Sequence, residues 1–391
     1  MKSSSYPTAS LSSSKELSGE FGRAIKPIGA PWARRWAAIY WTRLDMAIPL
    51  WLRLPGAFVL SVLLGMAASS VVLVAVHAPV LETFRAIFDG AVGSWSALES
   101  SLVFAEPIAF TGLAAAVAFR ARVWNIGGEG QMVMGAFGAG LIALNTSLPA
   151  PLMLLAVVAC GMACGAIWAF ISAALKVWLG VNEVLSSLML NYVAILWVQS
   201  LVYGPWREPG GGWPYSAYFP DEARLPTLGS ELDICVIFAP LIALALSALL
   251  RFSRWGFEIT VVGHSHEAAR YAAISVMRIT ILVMLVSGAL AGIAGIQQVS
   301  GSAGRLYVLT PGYGYLGILV SWLAGHDPLL VLVMAVFYGV LMQGGAALQI
   351  AQIDPSLVRI IQAAIILFAL AGLTLARRSQ SRLHISKVDR T

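Results

Sequence analysis

Charge is what this sequence has least of. Asp, Glu, Lys and Arg make up 11% of its 391 residues, where a soluble domain carries roughly 25%. With a mean hydropathy of +0.80, that scarcity excludes an ordinary water-facing globule and places most of the chain in lipid. Cysteine is nearly absent too. Cys160, Cys164 and Cys235 lie in apolar runs without metal-ligating company, and read as packing residues. The five histidines, His77, His264, His266, His326 and His384, fall at span ends, in loops or in the tail. No buried His–carboxylate pair, catalytic cluster or metal site is therefore expected. His264 and His266 beside Glu267 would suit a metal, but capping of a wet helix accounts for them more simply.

A lysine is missing where a nucleotide loop needs one. "WNIGGEGQMVMGAFGAG", Trp124 to Gly140, has the glycines of a phosphate cradle, but a P-loop requires G-x-x-x-x-G-K-[ST]. The dinucleotide fingerprint fails as well, on spacing and for want of a preceding strand. Neither motif binds ATP here. The net charge of +6 does not point to nucleic acid, because the cations gather in the tails and at the ends of apolar runs.

What the chain does have is a succession of apolar segments, each long enough at about 1.5 Å per residue to cross a core of roughly 30 Å. Spans are expected near 57–78, 101–121, 126–147, 151–175, 182–203, 232–250, 279–299, 312–325, 329–349 and 356–376. The fold class is an all-α polytopic membrane protein of about ten transmembrane helices. Before the spans come a Ser-rich tail over 1–30, read as disordered, and an aromatic- and Arg-rich elbow over 31–56 suited to the lipid interface. A tail over 377–391 follows the membrane region of 57–376. With the N-terminus inside, the inner segments hold the cations of the tail and elbow, then Arg120, Arg122, Lys176, Arg251, Arg254, Arg270, Arg278, Arg377 and Arg378. Only Arg85, Arg207, Arg224, Arg305 and Arg359 fall outside. That asymmetry puts both termini in the cytoplasm.

Two loops stand out. The outer one, Tyr203 to Asp233, is rich in Pro, Gly and aromatics and suits a lid or a docking surface. The inner one, 251–278, is long enough for its own helix, with Ser265 as the cap of "HEAARYAAI" and Glu267 at its positive end. The stretches around 109–140 and 285–328 also share a pattern: a small-residue helix, a polar interruption and a second glycine-patterned helix. Repeated halves with broken helices point to a pathway at their interface.

Polar groups inside lipid are few, and a charged one costs roughly 2.5–3.5 kcal/mol at mid-bilayer on insertion scales. Glu106, Asn125, Glu129, Gln131, Asn182, Glu183, Asn191 and Gln297 are the candidates for lining a solute pathway. Trp124 and Tyr192 would stack on a ring. Helix capping and interhelical hydrogen bonding are the alternative roles for the two buried glutamates, and close helix packing is the role expected of "GAFGAG".

"WNIGGEGQMVMGA", "VNEVLSSLMLNYVA" and "VGHSHEAARYAAIS" resemble, in order, the signature segments of ABC-transporter permeases of the branched-chain amino acid and simple-sugar superfamily. The branch that is most similar is the nucleoside type, paired with basic-membrane-protein-like binding lipoproteins. The resemblance implies a multi-pass subunit of the bacterial inner membrane that is not an enzyme and carries no cofactor. It implies as partners a second permease chain, a cytoplasmic ABC ATPase, an extracytoplasmic solute-binding protein and membrane lipid. Glu267, Ala268, Ala269, Arg270 and Tyr271 match the loop that docks on the ATPase, and Ala273 stands where the motif commonly has glycine. The implied cargo is a nucleoside or similar heterocycle, with vitamin B6 forms, riboflavin or a simple sugar as alternatives. A proton-driven secondary transporter using Glu106 or Glu129 is the reading of another class.

Overall fold

The computed structural model describes residues 50–388 except 211, 230, 310–311 and 351–352. The tail expected over 1–30 and the elbow up to residue 49 lie outside the described residues. The described residues from Phe58 onward belong to one compact unit.

The helices are α1 (Leu50–Ala75), α2 (Val80–Val92), α3 (Trp95–Arg120), α4 (Gly128–Asn145), α5 (Ala150–Leu179), α6 (Glu183–Tyr203), α7 (Cys235–Phe252), α8 (Arg254–His264), α9 (His266–Tyr271), α10 (Val276–Ile296), α11 (Tyr313–Ala324), α12 (Pro328–Ile350) and α13 (Pro355–Val388). Among the described residues no strand forms beyond two isolated bridges. The protein is an all-α polytopic membrane protein.

Each expected span overlaps one helix, yet among the described residues only eight helices are long and apolar enough to cross a bilayer by themselves. The glycine-rich α4 and the 12-residue α11 are the exceptions. Their sequences show why: α4 opens on Glu129 and Gln131, and α11 is a short helix between turns at Gly312 and Gly325, both with positive φ. Nothing in the sequence reading marks α2, which lies in a stretch expected to be loop. It packs on α12 and is tied to α3 by the Ser101 hydroxyl, which donates to the Ala91 carbonyl at 2.7 Å.

Two helices form the centre. Nearly every residue of α3 from Ala105 to Phe119 is buried, as is most of α10, whereas α1, α5, α6 and α7 turn Leu, Val, Ile and Phe outward as a lipid-facing surface needs. Small residues let the central helices approach their partners. A Cβ on Gly317 of α11 would overlap Thr111 and Gly112 of α3, and one on Gly135 of α4 would overlap Gly292 of α10. Thus α3 pairs with α11, and α10 pairs with α4. The two stretches with like sequence patterns have like shapes, and each packs its long helix against the other's short one.

α10 does not end cleanly. Gln297–Ala303, "QQVSGSA", continues as a π-helical turn, a feature enriched at functional sites. The outer loop is a packed cap: the backbone amides of Ser216, Phe219 and Leu225 donate to the carbonyls of Leu306, Gly304 and Ser300 at 2.7–2.9 Å. Its Arg305 neighbour lies over the rings of Tyr215 and Tyr218, at 4.0 and 4.6 Å.

Candidate functional site

The glycine stretch forms a break between α3 and α4. Arg122 closes α3 with a left-handed φ of 54°, while the Val123 amide donates back to Ala118 O at 3.1 Å. The chain then runs irregularly to Gly127, which caps α4 without a side-chain bond. A Cβ there would press on the amides of Gln131 and Asn125 at 2.8 and 3.0 Å, so glycine makes room for the polar cluster. Asn125 and Gln131 form a reciprocal amide pair (3.0 and 2.9 Å). Asn125 Nδ2 also donates to Ser287 Oγ of α10 at 2.9 Å, and Ser287 Oγ donates to Ala114 O of α3.

Asn191 of α6 does the work of a peptide group. Its Oδ1 accepts from the Gly130 amide, and its Nδ2 donates to Ile126 O and Tyr315 Oη, all at 2.9–3.0 Å. Glu129 reaches across to the other broken helix. Its two oxygens accept from the amides of Gly312 and Gly314 at 2.9 and 2.7 Å, and so cap α11 at its positive end. Asn125, Glu129, Gln131 and Asn191 therefore form one buried knot joining α4, α6, α10 and α11. Their hydrogen-bonding groups are engaged by protein, so any solute reaching them must open the knot.

The other candidates lie elsewhere. Asn182 is exposed and caps α6 by accepting from Val184 N at 2.8 Å. Glu183 pairs with Lys176 and accepts from Trp124 N at 3.5 Å. Glu106 and Gln297 meet each other, with Asp233, Ser302 and Gln298, in a separate buried cluster. Sequence reading missed Ser287, Tyr315, Gly312, Gly314 and Asp233. Of these only "TPGYGY" gave a signal, its glycines marking a helix start.

Near Glu183 the ends of several helices converge on aromatic rings. Trp124 stacks on Trp322 (5.8 Å between centroids, 16°), and Phe119 and His326 complete the group. Arg377 Nη1 and Nη2 donate to the Trp322 and Leu323 carbonyls, and Arg251 pairs with Asp327 at 2.7 Å. Burial, with Arg377 and Arg120 adding repulsion, pushes the His326 imidazole down to about 4. Arg120, Lys176, Arg251 and Arg377 thus share one basic end of the bundle.

Helices α8 and α9 lie at that end. Ser265 caps α9 as expected, accepting from Ala268 N at 3.2 Å. The helix stops at Tyr271, however, rather than running on through Ile274. Ile274 N returns to Ala269 O at 2.9 Å and Ala273 takes a left-handed φ of 56°. Glu267, Ala268, Arg270 and Tyr271 are exposed, Tyr271 to 94%, while Ala269 is fully buried. α8 abuts α3: a Cβ on Gly263 would overlap the Arg120 carbonyl.

Residues 97–370 match a family described as branched-chain amino acid transport system / permease component. The chain is 35% identical to a glucose ABC transporter permease of Haloferax volcanii, over 83% of this chain and 89% of that protein. It is 31% identical to a guanosine ABC transporter permease of Bacillus subtilis, covering 79% and 91%. It is 28% identical to a nucleoside ABC transporter permease of Lactococcus lactis, covering 79% and 88%.

Proposed function

The chain belongs to the branched-chain amino acid transport permease family, a multi-pass transport subunit of the ABC class, and from that premise we propose that its cargo is a nucleoside or a nucleoside-like heterocycle. The observation that carries this is the pair of exposed rings adjoining the knot in sequence, one of them, Trp124, stacked on Trp322. Trp124 and Tyr192 are exposed while their neighbours Asn125 and Asn191 are buried, so flat rings flank amides that face inward. Ring stacking suits a base, and the amides suit its edge and the ribose hydroxyls once the knot opens. Glu106, Asn182, Glu183 and Gln297 complete the proposed pathway.

In this reading a second permease chain covers the exposed faces, and an ATPase dimer docks at the basic end on Glu267 to Tyr271. A binding protein delivers cargo at the opposite, capped end. In the same reading the basic end and both termini are cytoplasmic, which the charge asymmetry of the sequence supports. Transport is import by alternating access, driven by differential affinity for two conformations.

A hexose is the second reading, favoured by the 35% identity to the glucose permease. Reconstitution of the chain with its ATPase, second permease and binding protein separates the two. Labelled guanosine should accumulate in an ATP-dependent way and glucose should not compete. Uptake of glucose alone would overturn the nucleoside assignment.

A further inference from the structure

The cluster around Glu106 holds two carboxylates and no cation. Glu106 is 3% exposed, Asp233 2% and Gln297 0%. Gln297 Nε2 donates to Glu106 Oε2 at 2.8 Å, Asp233 Oδ2 at 3.0 Å and Ser302 Oγ at 3.1 Å. An amide nitrogen has two protons, so it cannot serve three acceptors fully. The amide cannot turn over to help, because Gln297 Oε1 accepts from Gln298 Nε2 at 2.8 Å. Asp233 Oδ1 is already committed to the Cys235 amide, at 2.8 Å.

That leaves Glu106 Oε1, which is buried and has no partner. Glu106 is also the one polar residue lining a cavity of ≈ 170 Å³ between α3, α7 and α12, whose other walls include Leu102, Pro240 and Leu332. The charged group acting on Glu106 is Asp233, which repels it and lies within hydrogen-bonding reach. The Cys235 thiol also faces the pair, and the groups on α12 that line the cavity are apolar. Two ionised carboxylates that share one amide in such a site are not sustainable. Like charges this close leave one group neutral. The place a metal ion would take between them is filled by the Gln297 amide.

We propose that Glu106 and Asp233 bind one proton between them, held at the foot of the π turn of α10. The proton turns a repulsion into a carboxyl–carboxylate hydrogen bond and gives the orphaned oxygen its partner. Gln297 and Ser302 belong to the π turn, and a Cβ on Gly301 would overlap Asp233 Oδ2, so the pair clamps that turn to α3 and to the start of α7. Loss of the proton releases the clamp.

The test uses N,N′-dicyclohexylcarbodiimide, an apolar reagent that adds a protonated carboxyl across its C=N bond with no leaving group. Purified protein in detergent is treated across roughly pH 5 to 9, spanning the range of shifted carboxyls, and the adduct is mapped by mass spectrometry. An adduct at Glu106 that declines as pH rises is expected. Infrared spectra provide a readout independent of reagent access: a protonated-carboxyl C=O band should be present in the parent and missing in Glu106→Gln. The thermal midpoint should fall as the parent loses that band and stay flat in Glu106→Gln, whose amide keeps a donor toward Asp233. Absence of both adduct and band in folded protein overturns the proposal. Suppression of the adduct by sodium or potassium at fixed pH also overturns it, assigning the site to a metal cation.

Discussion

Ala273 offers a sharp test of how the proposed coupling loop is built. It is exposed, follows α9, and holds a φ of 56° with its amide donating to Arg270 O at 3.0 Å. In that region the Cβ of an L residue crowds the following carbonyl, at about 1–2 kcal/mol. Glycine escapes the clash but loses more freedom on folding, roughly 0.5–1 kcal/mol relative to Ala. Ala273→Gly should therefore stabilise the folded chain by about 0.5–1 kcal/mol. Ala273→Val should destabilise it, because branching at Cβ worsens the same clash. Thermal unfolding in detergent, with all three proteins side by side, reads the order Gly above Ala above Val. In the assembled transporter, relief of the strain should leave docking intact and change how much ATP hydrolysis accompanies each uptake event. If Ala273→Gly were less stable than the parent, or if Val matched Ala, the left-handed turn would not exist in solution.

Other outcomes are equally open to measurement. Asn191→Ala strands the Gly130 amide and the Ile126 carbonyl, each at about 1–3 kcal/mol, so its unfolding midpoint should drop well below that of the parent. Tyr271→Ala removes a side chain that is 94% exposed, so the midpoint should hold while ATP-driven uptake in proteoliposomes is lost; intact uptake would argue for the proton-driven class instead. Gly263→Ala should force α8 from the end of α3 and uncouple hydrolysis from uptake, measured as ATPase activity without transport. For His326, an unfolded imidazole titrates near 6.5 and the folded one near 4. Between those values the unfolded chain binds more protons, so stability should fall as pH is lowered from 6.5 to 4, and His326→Gln should flatten that part of the profile.

Hydropathy and charge placement made the helices legible, since each lipid-crossing segment must satisfy its own backbone and keep its cations at one end. The missed α2 shows the limit: "VLETFRAIFDGAV" is too short and too polar to cross, so a search for spans passes over its amphipathic helical spacing, and only the fold shows that it packs on α12. The polar residues were legible by type but not by partner. Glu129 was singled out because a carboxylate in lipid needs a reason. That the reason is the N-terminus of α11, 183 residues away from it in sequence at Gly312, depends on tertiary contact. Asp233 was passed over because it sits at the edge of a polar loop, where an aspartate is ordinary. Only the fold buries it beside Glu106.

The same contacts connect the loop to the knot. Gly263 of α8 rests on the carbonyl of Arg120, the last residue of α3. Arg122, held in the left-handed region, follows two residues later, and Asn125 begins the knot three residues after that. A push on α9 has little slack to absorb: α8 follows α7 directly through Ser253, and Ala269 of α9 is fully buried. Displacement of α8 therefore bears on the α3–α4 break. There the Asn125–Gln131 pair and Asn191 must exchange partners if α4 is to move against α6 and α10. Buried amide networks of this sort are costly when half made, so the break has two satisfied arrangements or one, and not a continuum. Under the proposed function, a junction tied by amides and opened from the Arg120 end would act as a switch, which a solute with its own donors and acceptors would settle in the open form.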